Sequence, residues 1–205
     1  MAADVVVAAP PAAELSRNRT LVVGTAFAAV ASIMVFAGLF SVYISIRQNN
    51  EFLVENGLPG GTLWFPEGAV QIAPGTMMMF TTWISAFTIS WAVQAIRNDD
   101  RRNAYAALGL TLLMGAAVIN QMVFAILDFG LPVDRSVPAL MLYVIYGTYI
   151  AFLAVAVIFV ALMAVRAIAG QFNSQNADGV QAAAIYWYAT VIMYLPVWYL
   201  ITITK

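Results

Sequence analysis

The sequence predicts an all-α integral membrane protein with five transmembrane helices, and three observations predict it. Of its 205 residues 63% are hydrophobic and only 9% charged, against roughly a quarter charged in an ordinary soluble domain. Five apolar runs are each long enough to cross about 30 Å of hydrocarbon at about 1.5 Å per residue. Only one sizeable polar connection, rich in Gly and Pro, interrupts them.

The runs cover residues 20–46, 75–96, 104–127, 138–168 and 180–203, which together form one membrane domain, 20–205. Residues 1–19, "MAADVVVAAPPAAELSRNR", carry an acid and a Pro-Pro pair where a secretory signal would show a basic end and then an apolar block. They are expected to be a disordered cytoplasmic lead-in. Between the first two runs lies "RQNNEFLVENGLPGGTLWFPEGAVQIAPG", whose Gly and Pro positions break helix. The fourth run is the longest and is expected to leave the lipid at its Arg166 end. No internal repeat or soluble domain stands out.

Orientation follows from the basic residues near the ends of the runs, because these are retained on the cytoplasmic side. One side carries Arg17, Arg19, Arg97, Arg101, Arg102 and Arg166, the other Arg47, Arg135 and Lys205. The excess places the N-terminus inside and the C-terminus outside.

Composition also excludes chemistry. With no cysteine and no histidine, the chain has no disulfide, thiolate nucleophile, imidazole ligand or histidine base. No acid lies deep within an apolar run, so neither a catalytic group nor a metal site is expected. A net charge of −1 offers nucleic acid no basic surface.

Polar groups within the runs are few. Gly24, Ala28 and Ser32 recur every four residues, a small-residue stripe that lets helix backbones approach closely. Ser32 is read as bonded to its own helix, with a functional hydroxyl as the other reading. Asn120 and Gln121 point about 100° apart and are expected to bond neighbouring helices or, alternatively, to serve ion movement. Asp128 is near enough to the interface to be solvated. "NDDRR" at 98–102 reads as a solvated turn or a lipid-headgroup contact, and Arg47 as an interfacial anchor or a phosphate contact.

In the last run, "AIYWYATVIMYLPVWYL", Trp187, Tyr194 and Trp198 fall within about 40° of one another and form an aromatic stripe. Tyr188 and Tyr199 form a second stripe. Trp198 and Tyr199 suit one interfacial belt and Tyr186, Trp187 and Tyr188 the other. Pro196 is expected to bend this helix. The whole is read as a docking and anchoring helix.

Several blocks, taken in order, resemble subunit III of haem-copper (cytochrome c type) oxidases in its short five-helix bacterial form. They are "FAGLFSVY" at 36–43, "LWFPEG" at 63–68, "DDRR" followed by Gln121, and "AIYWYA" at 184–189. The departures are systematic. Where the family pattern has a carboxylate before the Phe36 block this chain has Ser32, and Phe124 replaces a Glu. Tyr149 and Phe152 stand at histidine positions, Tyr188 at the histidine of the closing block, and Val191 at an acid.

The resemblance implies a bundle split two plus three around a lipid cleft, with Arg47 and Trp64 at its headgroup side. It also implies a non-catalytic subunit in a bacterial inner membrane, one that packs on the catalytic subunit I among other respiratory subunits and holds phospholipid to support turnover and proton uptake. Haem and copper would reside in partner chains. The rival readings are a small transporter or channel, or an oxidase assembly factor.

Overall fold

The computed structural model describes residues 12–61, 64–65, 70–130 and 137–203. Expectations that fall on residues 1–11, Arg135 and Lys205, and on Leu63, Pro66, Glu67 and Gly68 of the 63–68 block, lie outside them. The described chain is all-α: α1 (Ala12–Glu55), α2 (Ile72–Arg97), α3 (Arg101–Asp128), α4 (Val137–Ile168) and α5 (Asp178–Val197), with a π-helical segment, Trp198–Ile203, continuing α5. All five are long and apolar enough to cross a membrane. The bundle has a loop end, carrying the α1–α2 connection and the π-helical segment, and a turn end, carrying the α2–α3 and α4–α5 connections.

The largest departure from expectation is the length of α1, whose 44 residues span about 66 Å at 1.5 Å each. It begins at Ala12, inside the stretch expected to be disordered up to residue 19, because Ala12, Ala13, Glu14 and Leu15 are strong helix formers. It then continues nine residues beyond 46 into the expected connection. Nothing before Gly57 breaks a helix, and the Arg47 Nε bond to Glu51 one turn on (2.8 Å) supports the extension.

Three helices end in the same way. At Gly57 and Gly170, both left-handed (φ 63° and 76°), a paired set of bonds closes the last turn: Leu58 N–H to Leu53 O with Gly57 N–H to Val54 O, and Gln171 N–H to Arg166 O with Gly170 N–H to Ala167 O. The end of α2 repeats the pattern with Asp99 at φ 55°. A left-handed L-residue costs roughly 1–2 kcal/mol. Here the carboxylate compensates, since Asp99 Oδ1 accepts the Ser174 N–H at 2.7 Å and so ties the two loops of the turn end together.

α2, α3, α4 and α5 pack in a ring, each on the next, and α5 closes it against α2. α1 lies outside the ring on α5 and touches α4 only slightly. The division into a first pair of helices facing the other three is therefore corrected: α2 belongs with α3, and α1 stands apart from α2. Half of the α5 span is buried, against 22–33% for the other four. That makes α5 the axis of the fold.

Candidate functional site

Most of the hydrogen bonds between helices in the bundle interior converge on α5 and its π-helical continuation. Its main stripe faces α2: Trp187 Nε1–H donates to Ser85 Oγ (2.9 Å), Tyr194 O–H to the Gly75 carbonyl (3.1 Å) and Trp198 Nε1–H to Thr76 Oγ1 (3.1 Å). Tyr188 joins the same partner helix through Ser90 Oγ at 2.6 Å. As the α5 residue number rises the α2 partner number falls overall, as antiparallel neighbours require.

The sequence justifies this seam locally. Thr82, Ser85 and Thr88 recur every three residues on one face of α2, and all are buried. Each hydroxyl bonds its own helix carbonyl, so its second site is left for a neighbour. Ser85 takes Trp187, and Thr88 meets Thr111 of α3 at 2.7 Å. The indole of Trp187 fits because α3 has Gly115 there: a Cβ would lie 2.6 Å from Trp187 Cη2.

The opposite face of α5 receives α1 and α4. Ser32 Oγ donates to its own Ala28 carbonyl (2.9 Å) and stands 3.4 Å from the Tyr186 hydroxyl. Tyr149 O–H donates to the Thr190 carbonyl (3.2 Å). Its ring meets Phe36 edge-on at 6.1 Å, and Phe36 also contacts Phe152 at 5.7 Å. The positions where the family pattern has ionisable groups thus divide: Ser32, Tyr149 and Tyr188 enter hydrogen bonds, Phe152 packs on Phe36, and Phe124 is exposed.

Pro196 provides no N–H to the helix ladder, and the chain continues as a π-helical turn. The Leu200 carbonyl accepts the Tyr43 hydroxyl at 3.4 Å, and Trp64 Nε1–H donates to that same Tyr43 oxygen at 3.0 Å. Trp64 and Arg47 therefore flank a clamp that joins α1, its loop and the end of α5.

The remaining expected residues are placed differently. Gly24 and Ala28 are exposed; the buried stripe of α1 is Thr25, Ala29, Ser32, Phe36, Phe40 and Tyr43, one residue further round. Asn120 is exposed and Gln121 half-buried, and among the described residues no bond joins either to another helix. Tyr186 and Trp187, expected in an interfacial belt, lie in the core, because α5 is covered on three sides. The second stripe is broken, with Tyr188 bonded and Tyr199 exposed.

At the turn end the Ser174 hydroxyl and backbone N–H, and secondarily the Arg101 charge, hold the Asp99 carboxyl below its ordinary range. Arg97 donates to Gln181 Oε1 (2.9 Å), and Arg166 lies over the Phe172 ring. Among the described residues no group of three or more carboxylates, histidines or cysteines could hold a metal. The described interior is a set of hydroxyls, indoles and carbonyls that binds helices together.

Sequence reasoning found the aromatic stripe but missed its partners Ser85, Ser90 and Gly75. The three-residue hydroxyl spacing of α2 was the available signal.

The comparisons agree with this architecture. The family model for cytochrome c oxidase subunit III matches residues 12–204. The chain is similar to the cytochrome c oxidase subunit 3 of Thermostichus vulcanus, at 26% identity over 79% of this chain and 76% of the relative. It is also similar to that of Bacillus subtilis, at 25% over 76% and 72%, and to that of Cyprinus carpio, at 25% over 66% and 53%.

Proposed function

Since this chain belongs to the cytochrome c oxidase subunit III family, we propose that it is a permanent, non-catalytic subunit that packs on the haem- and copper-bearing subunit I and supports its turnover and proton uptake. The observation that carries the reading is that the family match runs through all five helices. The interior agrees with it: its polar groups are spent on holding helices together. A transporter would need an ionisable group or broken helix near the midplane, and the described spans offer only the π-helical end of α5.

Lipid holding belongs to the same proposal. α1 and α4 splay apart at the turn end and leave a groove of about 730 Å3, walled by Leu21, Gly24, Ala28, Val155 and Leu162 and floored by Tyr186. Its lining is almost wholly apolar, which suits an acyl chain and explains the exposure of Gly24 and Ala28. Arg47 and Trp64, at the opposite end, are proposed headgroup-level residues of the other leaflet. The membrane is proposed to be a bacterial inner membrane, with the turn end cytoplasmic.

The test is co-purification from mild detergent. A haem-bearing multi-subunit oxidase in constant ratio is the expected result. Association confined to immature complexes would instead identify an assembly factor. Stoichiometric haem or copper on the isolated chain would overturn the reading.

A further inference from the structure

The outward face of α3 carries a group that hydrocarbon cannot satisfy. Asn120 is exposed, and it stands about 12 Å before the end of the helix at Asp128 at about 1.5 Å per residue. A helix of 28 residues, about 42 Å long, overhangs a core of about 30 Å by roughly 6 Å at each end. Asn120 therefore lies at hydrocarbon depth. Long Lys and Arg side chains escape to the headgroups from such a position, but a carboxamide on one methylene does not. Among the described residues neither Asn120 nor the adjoining Gln121 has a hydrogen-bond partner. The hydroxyls of Thr81 and Ser90 on α2, by contrast, bond their own helix carbonyls.

Asn120 sits in a regular seam. Ala106, Leu113, Asn120 and Leu127 recur every seven residues, and Gly109, Ala116 and Val123 fall between them at the alternating three- and four-residue steps of a coiled coil. All of them are exposed, because α3 meets its neighbours through the opposite face, Ala104, Leu108, Thr111, Gly115, Val118 and Met122. A second observation coincides with the amide. A furrow of about 490 Å3 lies along α3, walled by this helix alone, and its lining includes Asn120, Val123, Phe124 and Leu127. These are the a, d, e and next a positions of one heptad. Four such residues form the hole that receives a d-position side chain when two helices pack in parallel.

We propose that this face of α3 binds a second copy of the chain, α3 against α3, with Asn120 bonded to its counterpart and the Val123 of each copy seated in the furrow of the other. Every copy crosses the membrane in the same direction, so the two α3 helices run parallel about a two-fold axis along the membrane normal. Residue 120 then faces residue 120. A carboxamide is suited to meet its own kind, since its N–H groups donate and its oxygen accepts; a carboxylate or an ammonium would repel its own copy. One Asn at an a position is also the device that sets register between paired helices. Gly109, with open space where a Cβ would stand, and Ala116 let the backbones approach closely. The seam ends at Ala106, one turn inside Arg102, so the arginines of the two copies stand in water, where their repulsion is screened. The pairing rests on the membrane location alone and does not depend on which other subunit the chain meets.

The test uses the full chain in native membranes, with whatever partners it carries. Because the chain has no cysteine, Leu113→Cys and Ala116→Cys each place a single thiol on the seam, and Phe27→Cys places one on an exposed face of α1. Mild oxidation is expected to give a disulfide-linked homodimer from either seam variant and none from Phe27→Cys. Two copies bearing different epitopes should co-purify. In the Ala116→Cys chain, Asn120→Leu should weaken the dimer about tenfold, the loss of one interhelical amide contact in lipid, whereas Asn120→Gln, which keeps a carboxamide, should retain most of it. Failure of the two epitopes to co-purify would overturn the proposal, as would an Asn120→Leu chain that pairs undiminished. Crosslinking of the seam thiols to a different polypeptide, or of Phe27→Cys to the same extent as the seam, would overturn it as well.

Discussion

Gly115 and Trp187 show how one missing side chain positions another. A methyl group at 115 would meet Trp187 at 2.6 Å and Val157 at 2.8 Å, so Gly115→Ala is expected to destabilise the bundle by about 1–3 kcal/mol. Gly109→Ala, with nothing within 4 Å, should be silent; midpoints of unfolding in mixed detergent would compare the two. Asp99 makes a second single-residue case. Its carboxyl is held below the ordinary range, so the tie to Ser174 is fully present above that range and is lost as pH falls through the lowered value. The Ser174 amide resonance should therefore titrate below the ordinary carboxylate midpoint in the wild type and stay flat in Asp99→Asn. Such pairings were not legible in the sequence, because Asp99 and Ser174 lie 75 positions apart and only the packing of α5 brings their loops together.

Among the elements, α5 combines a regular stripe with a break. Pro196 sets the π-helical turn that brings Thr202 against Gly75, where a Cβ would lie 3.5 Å from that of Thr202, within the usual disulfide range of about 3.5–4.5 Å. The chain has no cysteine of its own. Gly75→Cys with Thr202→Cys should therefore crosslink cleanly on mild oxidation, as a gel-mobility shift. Adding Pro196→Ala should lower the yield sharply by restoring α-helical register. α1 depends on fewer contacts. Phe36, 1% exposed and packed on Phe40, Tyr149 and Phe152, is its anchor, and Phe36→Ala is expected to cost roughly 3 kcal/mol or more, read as earlier thermal unfolding in detergent. The stripe of α5 was legible because a period of 3.6 is written in residue spacing. The extension of α1 was legible only in part, since the absence of Gly and Pro before Gly57 permits a helix but does not require one.

At the scale of the whole molecule, an epitope at the N-terminus should be shielded from outside in intact cells and one at the C-terminus accessible. The opposite pattern would reverse the proposed topology. What the sequence by itself determined is the membrane class, the number of spans and their centres, because these follow from the free energy of placing each segment in hydrocarbon, a sum over its own residues. It also carried the family, through short blocks that survive where the ionisable positions do not. Which helices adjoin was decided by the tertiary structure alone. α1 and α2 are consecutive in the chain yet separate in space, while α5 becomes the axis because its indoles and hydroxyls find Ser85, Ser90, Thr76 and the Gly75 carbonyl on α2. Inside lipid every helix is apolar, so hydrophobicity cannot choose neighbours; close packing at Gly115 and a few directional hydrogen bonds do, and both exist only once two distant stretches meet.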